Sequence, residues 1–517
     1  MIKNKIVKDT FFLTAVELVM QGFALILNIF ITRSLGSETI GIIALIGSFF
    51  MFVTIISSGN VYLSTSRFIA EEIGKKCGDP ERVFRYGVTS SLIMSFISGS
   101  VIFFISDFIS RDILDTPELS FAVKLLALIL PICSLNACLR GYFSAFRSVY
   151  IPSFASIAEF LVKSASIALF TEFMITAGKM SVYTALAISI CAGQAAGFLF
   201  LFIPYLKKRK KYSGGCTISF RFFIVSSIPI FLNSLVTSVL SSANDALVPI
   251  TLKQYGNSTS EAFSQFGIFE AIVIPALFFP SSILCSLSGI LVPEIAREKG
   301  ANNTEGSRTL INKVIRQTFG FSVMTAMVFL CFGDEIGFLM SGEHFAGQVI
   351  AILSPAVPFI YLEIILEGIL RGMGKHVFSS VNYLAEYTVR ISVLLVCVPL
   401  FGFYGIVASY LASNIIGNIS RLVMIIRVTG LRFNFTENVA VPVISGLISA
   451  EMISIAEKLL PFKIESAALR AAAFGGVMML FYVLVKAVTS KILGSKIHSS
   501  SSVLSSSSSK YPSSSSL

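Results

Sequence analysis

Stretches of about twenty predominantly apolar residues, the length that carries an α-helix across a bilayer, tile almost the whole of this 517-residue chain. In hydrocarbon a backbone must satisfy its own polar groups, which leaves only helices and closed barrels. The short alternating segments of a barrel do not occur, so the expectation is an all-α polytopic membrane protein of about fourteen transmembrane helices. The spans fall near residues 10–33, 40–63, 86–109, 121–143, 149–174, 182–206, 222–250, 263–292, 312–333, 347–370, 377–400, 404–426, 438–458 and 467–488. A composition 54% hydrophobic and only 13% charged agrees, being far from a soluble mixture.

Charge orients these spans. Lys and Arg gather at residues 3–8, 67–85, 140–147, 207–221, 297–316, 371–375, 421–432 and 486–496, which are alternate junctions. The other junctions lean acidic or neutral, as in residues 106–120 with Asp107, Asp112, Asp115 and Glu118. Both termini and the basic loops are therefore expected on the cytoplasmic side. The net charge of +11 is explained by this bias, and the run Lys207–Lys211 reads as a cytoplasmic linker in preference to a nucleic-acid patch. Lys3, Lys5 and Lys8 lead straight into apolar sequence without a cleavage site, so a retained first helix is expected. Eight cysteines without a CxxC and three histidines without ligand spacing point to no metal and no disulfide framework. No connection is long enough for a catalytic domain, and no GxxxxGK[ST] occurs; the chain reads as neither an enzyme nor an ATPase.

The chain also repeats itself. Pro131–Lys163 and Pro358–Arg390 align without a gap, placing Leu135 on Leu362, Gly141 on Gly368 and Ser153 on Ser380. Ala158-Glu159 falls on Ala385-Glu386 and Lys163 on Arg390. Upstream, Gly41-Ile42 falls on Gly267-Ile268. Charged residues are costly in lipid, so their recurrence in register marks a duplication. Two six-helix lobes related by pseudo-two-fold symmetry are expected, residues 1–206 and 222–432, joined by the basic linker 207–221. An even number of helices per lobe gives both copies one orientation, about an axis along the membrane normal. Two extra helices at 433–490 and a serine-rich tail at 491–517, expected to be disordered, complete the chain.

Ionisable residues at membrane depth are functional candidates by default. They are Glu17 in the first helix, Asp245 in the seventh, Glu270 in the eighth, and Glu363 and Glu367 in the tenth. Glu159–Lys163 and Glu386–Arg390 are acid–base pairs one turn apart, for which mutual neutralisation is the alternative to a role in binding. Arg67, Arg140, Arg297 and Arg371 are placed at the cytoplasmic ends, where they could meet an anionic headgroup or simply orient the chain. Glu17 and Asp245 have no base one turn away. Asn244-Asp245 followed by Pro249 suggests a broken helix whose carboxylate and carbonyls would form a small-cation site.

The repeated halves, the two extra helices and the run ITRSLGSETIGIIAL leading to STSRFIAEEIGK resemble the multidrug/oligosaccharidyl-lipid/polysaccharide (MOP) exporter superfamily. Within it the likeness is to the polysaccharide-biosynthesis branch and the stage V sporulation protein B group. The resemblance implies alternating access by two lobes around a cavity, and lipid-linked sugars, such as peptidoglycan precursors, as substrates flipped across the bacterial cytoplasmic membrane. Lipid II flippases tend to carry arginines along the first helix; Gln21 and Asn28 stand there in this chain, leaving another polyprenyl-linked glycan open. The resemblance further implies a Na⁺ or H⁺ coupling site at Asp245, Asn382 and Glu386. No other cofactor and no nucleic-acid partner are expected, and the protein reads as a monomer among membrane lipids. The alternative within the same fold is a cation-coupled multidrug antiporter; a membrane glycosyltransferase or a non-transporting scaffold are the alternatives of other classes.

Overall fold

A computed structural model describes residues 2–74, 79–113, 119–146, 148, 150–170, 181–208, 218–300, 303–431, 433–459 and 467–507. Among these residues there is no strand, and 14 helical stretches are long and apolar enough to cross a membrane. The protein is thus an all-α, multi-pass membrane protein, as the hydropathy requires. The chain forms two compact units, Met1–Pro275 with Tyr383–Ser409, and Ala276–Asn382 with Tyr410–Leu517.

The first unit contains α1 (Ile2–Leu35), α2 (Ser37–Ser58), α3 (Val61–Gly74), α4 (Pro80–Phe108), α5 (Ser120–Ala145), α6 (Tyr150–Phe170), α7 (Val182–Lys208), α8 (Phe220–Tyr255), α9 (Thr259–Ile268) and the start of α10 (Ile274–Phe278). Local sequence sets their ends. Asp79 caps α4 ahead of Pro80, and Ser219 caps α8 through the Phe222 amide. Ser258 and Glu261 form a capping box on α9. Gly59 and Gly256 close α2 and α8 in the left-handed conformation.

Helices α2 and α9 cross in close backbone contact. A Cβ added to Gly41 would sit 1.9 Å from the Phe263 carbonyl oxygen, and one added to Gly267 would sit 2.3 Å from the Gly41 nitrogen. Only glycine lets the two backbones approach so far. Gly41 and Gly267 are repeat mates, and beside them the Ser264 hydroxyl donates to the Ser37 hydroxyl at 2.7 Å. Repeat mates touching each other is the contact pattern of a two-fold axis. Nearby, Asn28 Nδ2 donates to the Ala271 carbonyl at 2.8 Å. In an α-helix that carbonyl would need the N–H of residue 275, which is proline, and residues Phe269–Val273 instead take a π-helical turn. An aromatic core of Phe68, Phe84, Tyr142, Tyr205 and Phe223 surrounds the buried Glu81. Its carboxylate accepts from the Tyr142 and Tyr205 hydroxyls, both at 3.0 Å.

The second unit contains the rest of α10, α11 (Ser282–Gly300), α12 (Thr304–Ser341), α13 (His344–Leu353), α14 (Val357–Gly372), α17 (Val441–Leu459) and α18 (Ala467–Ser507). It shares α15 (His376–Phe401) and α16 (Phe403–Thr429) with the first. Its most buried charge is Arg421 of α16, 1% exposed. The guanidinium donates to Glu363 at 2.9 Å and lies 3.7 Å from Glu367. The cluster 421–432 therefore does not lie wholly in a loop: Arg421 is about two turns inside the helix and neutralises the acids of α14. Glu367 also accepts from Arg371 at 3.0 Å and from the Ser379 hydroxyl. The serine-rich stretch is a second departure from expectation, since α18 continues to Ser507. No proline interrupts residues 467–507, and a helix once nucleated extends at low cost through serine; residues 508–517 lie outside the described residues.

Two substitutions test these packing arguments. Gly41→Ala should destabilise the protein by about 1–3 kcal/mol through overpacking, read as a lower melting temperature in detergent. Gly47→Ala, where no atom lies within 4 Å of the new Cβ, should change little. Arg421→Leu should cost about 3–5 kcal/mol by leaving Glu363 and Glu367 without their buried cation, and adding Glu363→Gln and Glu367→Gln should recover much of the loss; no recovery would disprove the pairing.

Candidate functional site

A polar cleft of about 600 Å³ lies within the first unit. Asn28 of α1, Ser48 of α2, Asn60, Ser242 and Asp245 of α8, and Glu270 line it. Ser48 Oγ donates to Asp245 Oδ2 at 2.6 Å, and Asn244 Nδ2 reaches Oδ1 at 3.2 Å. Further hydroxyls come from Ser234, Ser238, Thr237 and Tyr383. The expected break at Pro249 is absent, because α8 runs on as a helix to Tyr255. Proline still acts there: it lacks the N–H that the Asp245 carbonyl, four residues earlier, would accept.

Beside the cleft, on the part of α15 in this unit, Glu386 and Arg390 are 2% and 7% exposed and 3.8 Å apart. The Arg390 guanidinium stacks 4.9 Å from the Tyr387 ring. It is also within electrostatic reach of Asp245 and Glu270. Asp245, Glu270 and Glu386 thus all lie near this arginine. Carboxylate, hydroxyl and amide oxygens grouped in a partly desolvated site are a donor set that can hold a cation.

The repeat-related charges do something different. Glu159 of α6 accepts from Arg140 Nη2 of α5 at 2.9 Å and from Gln194 Nε2 of α7 at 2.6 Å. Asn136 Nδ2 donates to Gln194 Oε1 at 2.9 Å, and Arg140 Nη1 to the Ser156 hydroxyl at 2.6 Å. Two expectations are corrected. Arg140 is not simply an interfacial residue but a half-buried cross-helix partner, and Lys163 is not the main partner of Glu159. Lys163 is within electrostatic reach of it, but a guanidinium and an amide on neighbouring helices offer straighter donors than the next turn of α6. Gly193 allows this, since a Cβ there would lie 2.9 Å from the Glu159 carbonyl.

The remaining candidates are dispersed. Glu17 is exposed on α1 and Arg67 exposed on α3, its guanidinium 5.3 Å from the Phe68 ring. Arg371 is exposed and paired with Glu367. The Arg297 side chain lies outside the described residues. Asn382 is buried and donates to the Gly417 carbonyl at 3.2 Å, in the second unit. Arg421 was not among the sequence-derived candidates, although a signal existed: at the repeat spacing it falls on Gln194, as Glu363 falls on Asn136 and Glu367 on Arg140. Both halves therefore hold their fourth and sixth spans together with a polar knot at one level, built from different charges.

Comparison with known proteins completes the identification. A family model described as polysaccharide biosynthesis protein matches residues 6–299, more than half of the chain, and a second, described as MatE, matches residues 270–396. Stage V sporulation protein B of Bacillus subtilis (strain 168) is 21% identical over 468 residues, covering 87% of this chain and 90% of the relative. Sporulation protein YkvU of the same organism is 21% identical over 377 residues, covering 72% and 83%. In fold, the chain resembles the lipid II flippase MurJ in its inward closed conformation, with a TM-score of 0.71 and 11% identity over 94% of this chain and 99% of that one. It also resembles an inward-facing multidrug resistance MATE family transporter, with a TM-score of 0.60 and 17% identity over 80% and 96%. The chain belongs to the polysaccharide biosynthesis protein family, within the MOP superfamily.

Proposed function

We propose that this protein is a flippase that carries a lipid-linked oligosaccharide across the bacterial cytoplasmic membrane by alternating access, as a monomer with both termini in the cytoplasm. The observation that carries the reading is the cleft, whose hydroxyls and amides from Asn28, Ser48, Asn60, Ser234 and Ser242 lie among membrane-spanning helices. A glycan presents many hydroxyl groups and needs such partners once it leaves water, because each unpaired buried polar group costs free energy. Family membership supports the same substrate class, and so does the relation to stage V sporulation protein B along most of its length. The fold-level likeness to a protein titled lipid II flippase is consistent with it.

The acidic groups in the cleft serve the coupling ion. A pyrophosphate would be repelled by Asp245 and Glu270, so its reception is assigned to Arg67, Arg297 and Arg371. Arg140, Lys163 and Glu159 keep the helices that present the substrate path in register. A sodium ion or proton bound at Asp245, with Glu386 in a lesser role, drives the cycle if it binds one conformation better than the other. The membrane potential supplies about 2.3 kcal/mol per charge per 100 mV. The second reading, a cation-coupled multidrug antiporter, draws on the same acidic cleft and on the MatE match.

Purified protein in vesicles separates the two. A fluorescent lipid-linked oligosaccharide should be moved in an ion-dependent way, and a cationic dye should not; the reverse outcome would establish the antiporter. Asp245→Asn should leave membrane abundance intact and lower ion-dependent movement by about tenfold or more, a loss of ~1.4 kcal/mol or more of coupling. Glu386→Gln and Asn382→Ala should have weaker effects. Ion dependence unchanged in Asp245→Asn would reject the coupling assignment.

A further inference from the structure

The basic end of the second unit carries a stripe of cations that the cleft does not use. Arg308, Asn312 and Arg316 follow one another a turn apart on α12, with Thr309 and Lys313 beside them. They wall a pocket of about 340 Å³, which Leu431 also lines. The next position of the stripe is Gly320. A Cβ there would sit 1.9 Å from Lys486 Nζ of α18, so the missing side chain makes room for an ammonium supplied by the neighbouring helix. Tyr482 holds that arrangement: its hydroxyl donates to the Gly320 carbonyl at 2.7 Å, and Lys486 Nζ lies 5.8 Å from its ring. The orientation of the chain accounts for basic residues at this end. It does not account for a glycine that seats a half-buried lysine within electrostatic reach of Arg316. Arg316 pairs with Glu437 at 3.1 Å, but in an exposed bridge of a kind that contributes little. Among the described residues no acid pairs with Lys313 or Lys486. Asn312 Oδ1 accepts from Asn438 Nδ2 at 3.1 Å, which leaves the Asn312 N–H groups to donate.

We propose that this stripe holds the phosphate of an anionic phospholipid, a resident of the leaflet at the basic end of α12 and not the transported molecule. The Arg316 guanidinium and the Lys486 ammonium take the phosphate oxygens, and Lys313, Asn312 and Thr309 take the rest of the headgroup. Depth selects a lipid over a soluble anion. Lys486 lies inside the apolar span Leu469–Thr489, from which a lysine extends its ammonium to the level of the headgroups. Val483, one turn away on α18 and exposed, offers the acyl chains an apolar surface. Basic pockets between the ends of membrane helices suit such headgroups. The lipid fastens α18 to α12 at the same end where the Arg316–Glu437 and Asn312–Asn438 contacts fasten the start of α17.

Lipid binding to the full-length protein in neutral detergent, read by native mass spectrometry, tests this. Phosphatidylglycerol should bind about tenfold more tightly than phosphatidylcholine of the same acyl chains. Lys313→Gln, Arg316→Gln and Lys486→Gln together should abolish that preference. Arg82→Gln, Arg85→Gln and Arg221→Gln, which remove the same charge from exposed positions in the first unit, should leave it at about tenfold. If the first triple variant does not fold, Lys486→Met, which keeps an unbranched chain against Tyr482, should lower the preference about threefold. Equal losses in the two triple variants would mean bulk attraction only and overturn the proposal. So would a wild-type protein without the preference, or displacement of the lipid by an equal concentration of inorganic phosphate, which would mark a site for a soluble anion. The readout involves no transport, so failure here leaves the flippase reading untouched.

Discussion

The approach of α2 to α9 through Gly41 and Gly267 is the constraint on which the first unit depends. With lipid on the outside there is little hydrophobic gain from pressing helices together, so close backbone packing has to supply the contact. This crossing is as close as glycine permits, and it carries consequences along both helices. Toward one end lie the Ser37–Ser264 and Glu38–Ser260 hydrogen bonds. Toward the other, α2 delivers Ser48 to Asp245, while the π-helical turn after α9 brings Glu270 to the same cleft. A larger residue at either glycine would move the walls of the cleft as well as the crossing.

Charge inside the helices is handled in two ways. Glu81, Glu159 and Arg421 have specific partners: two tyrosine hydroxyls, an arginine with a glutamine, and a glutamate pair. These groups tie helices together, and their burial makes them structural. Around the cleft the acids gather, with Asp245, Glu270 and Glu386 all near Arg390. A group closed off by its partners has nothing to offer a mobile ion, whereas clustered carboxylates lining a cleft do. That contrast, more than the presence of charge at membrane depth, separates coupling candidates from helix fasteners.

Much of the architecture was legible in the chain because membrane folding leaves few choices. Apolar length dictates helices, and the recurrence of Glu159 and Lys163 at Glu386 and Arg390 reveals the duplication. Asp245 and Glu270 could be singled out since acids in lipid are expensive wherever they occur. Partnership was not legible, because an ionisable side chain reaches across helices whose packing no linear spacing encodes. Lys163 looked like the natural mate of Glu159, yet Arg140 and Gln194 on flanking helices take that place. Pro249 looked like a break, but helix α8 absorbs it and only a carbonyl is freed. Arg421 read as the start of the basic cluster that ends the span 404–426, and the packing of α16 on α14 buries it between two glutamates. Residue types and their periodicity decided which groups had to be satisfied in the membrane; the tertiary structure alone decided by whom, because satisfaction depends on distances of about 3 Å between helices far apart in sequence.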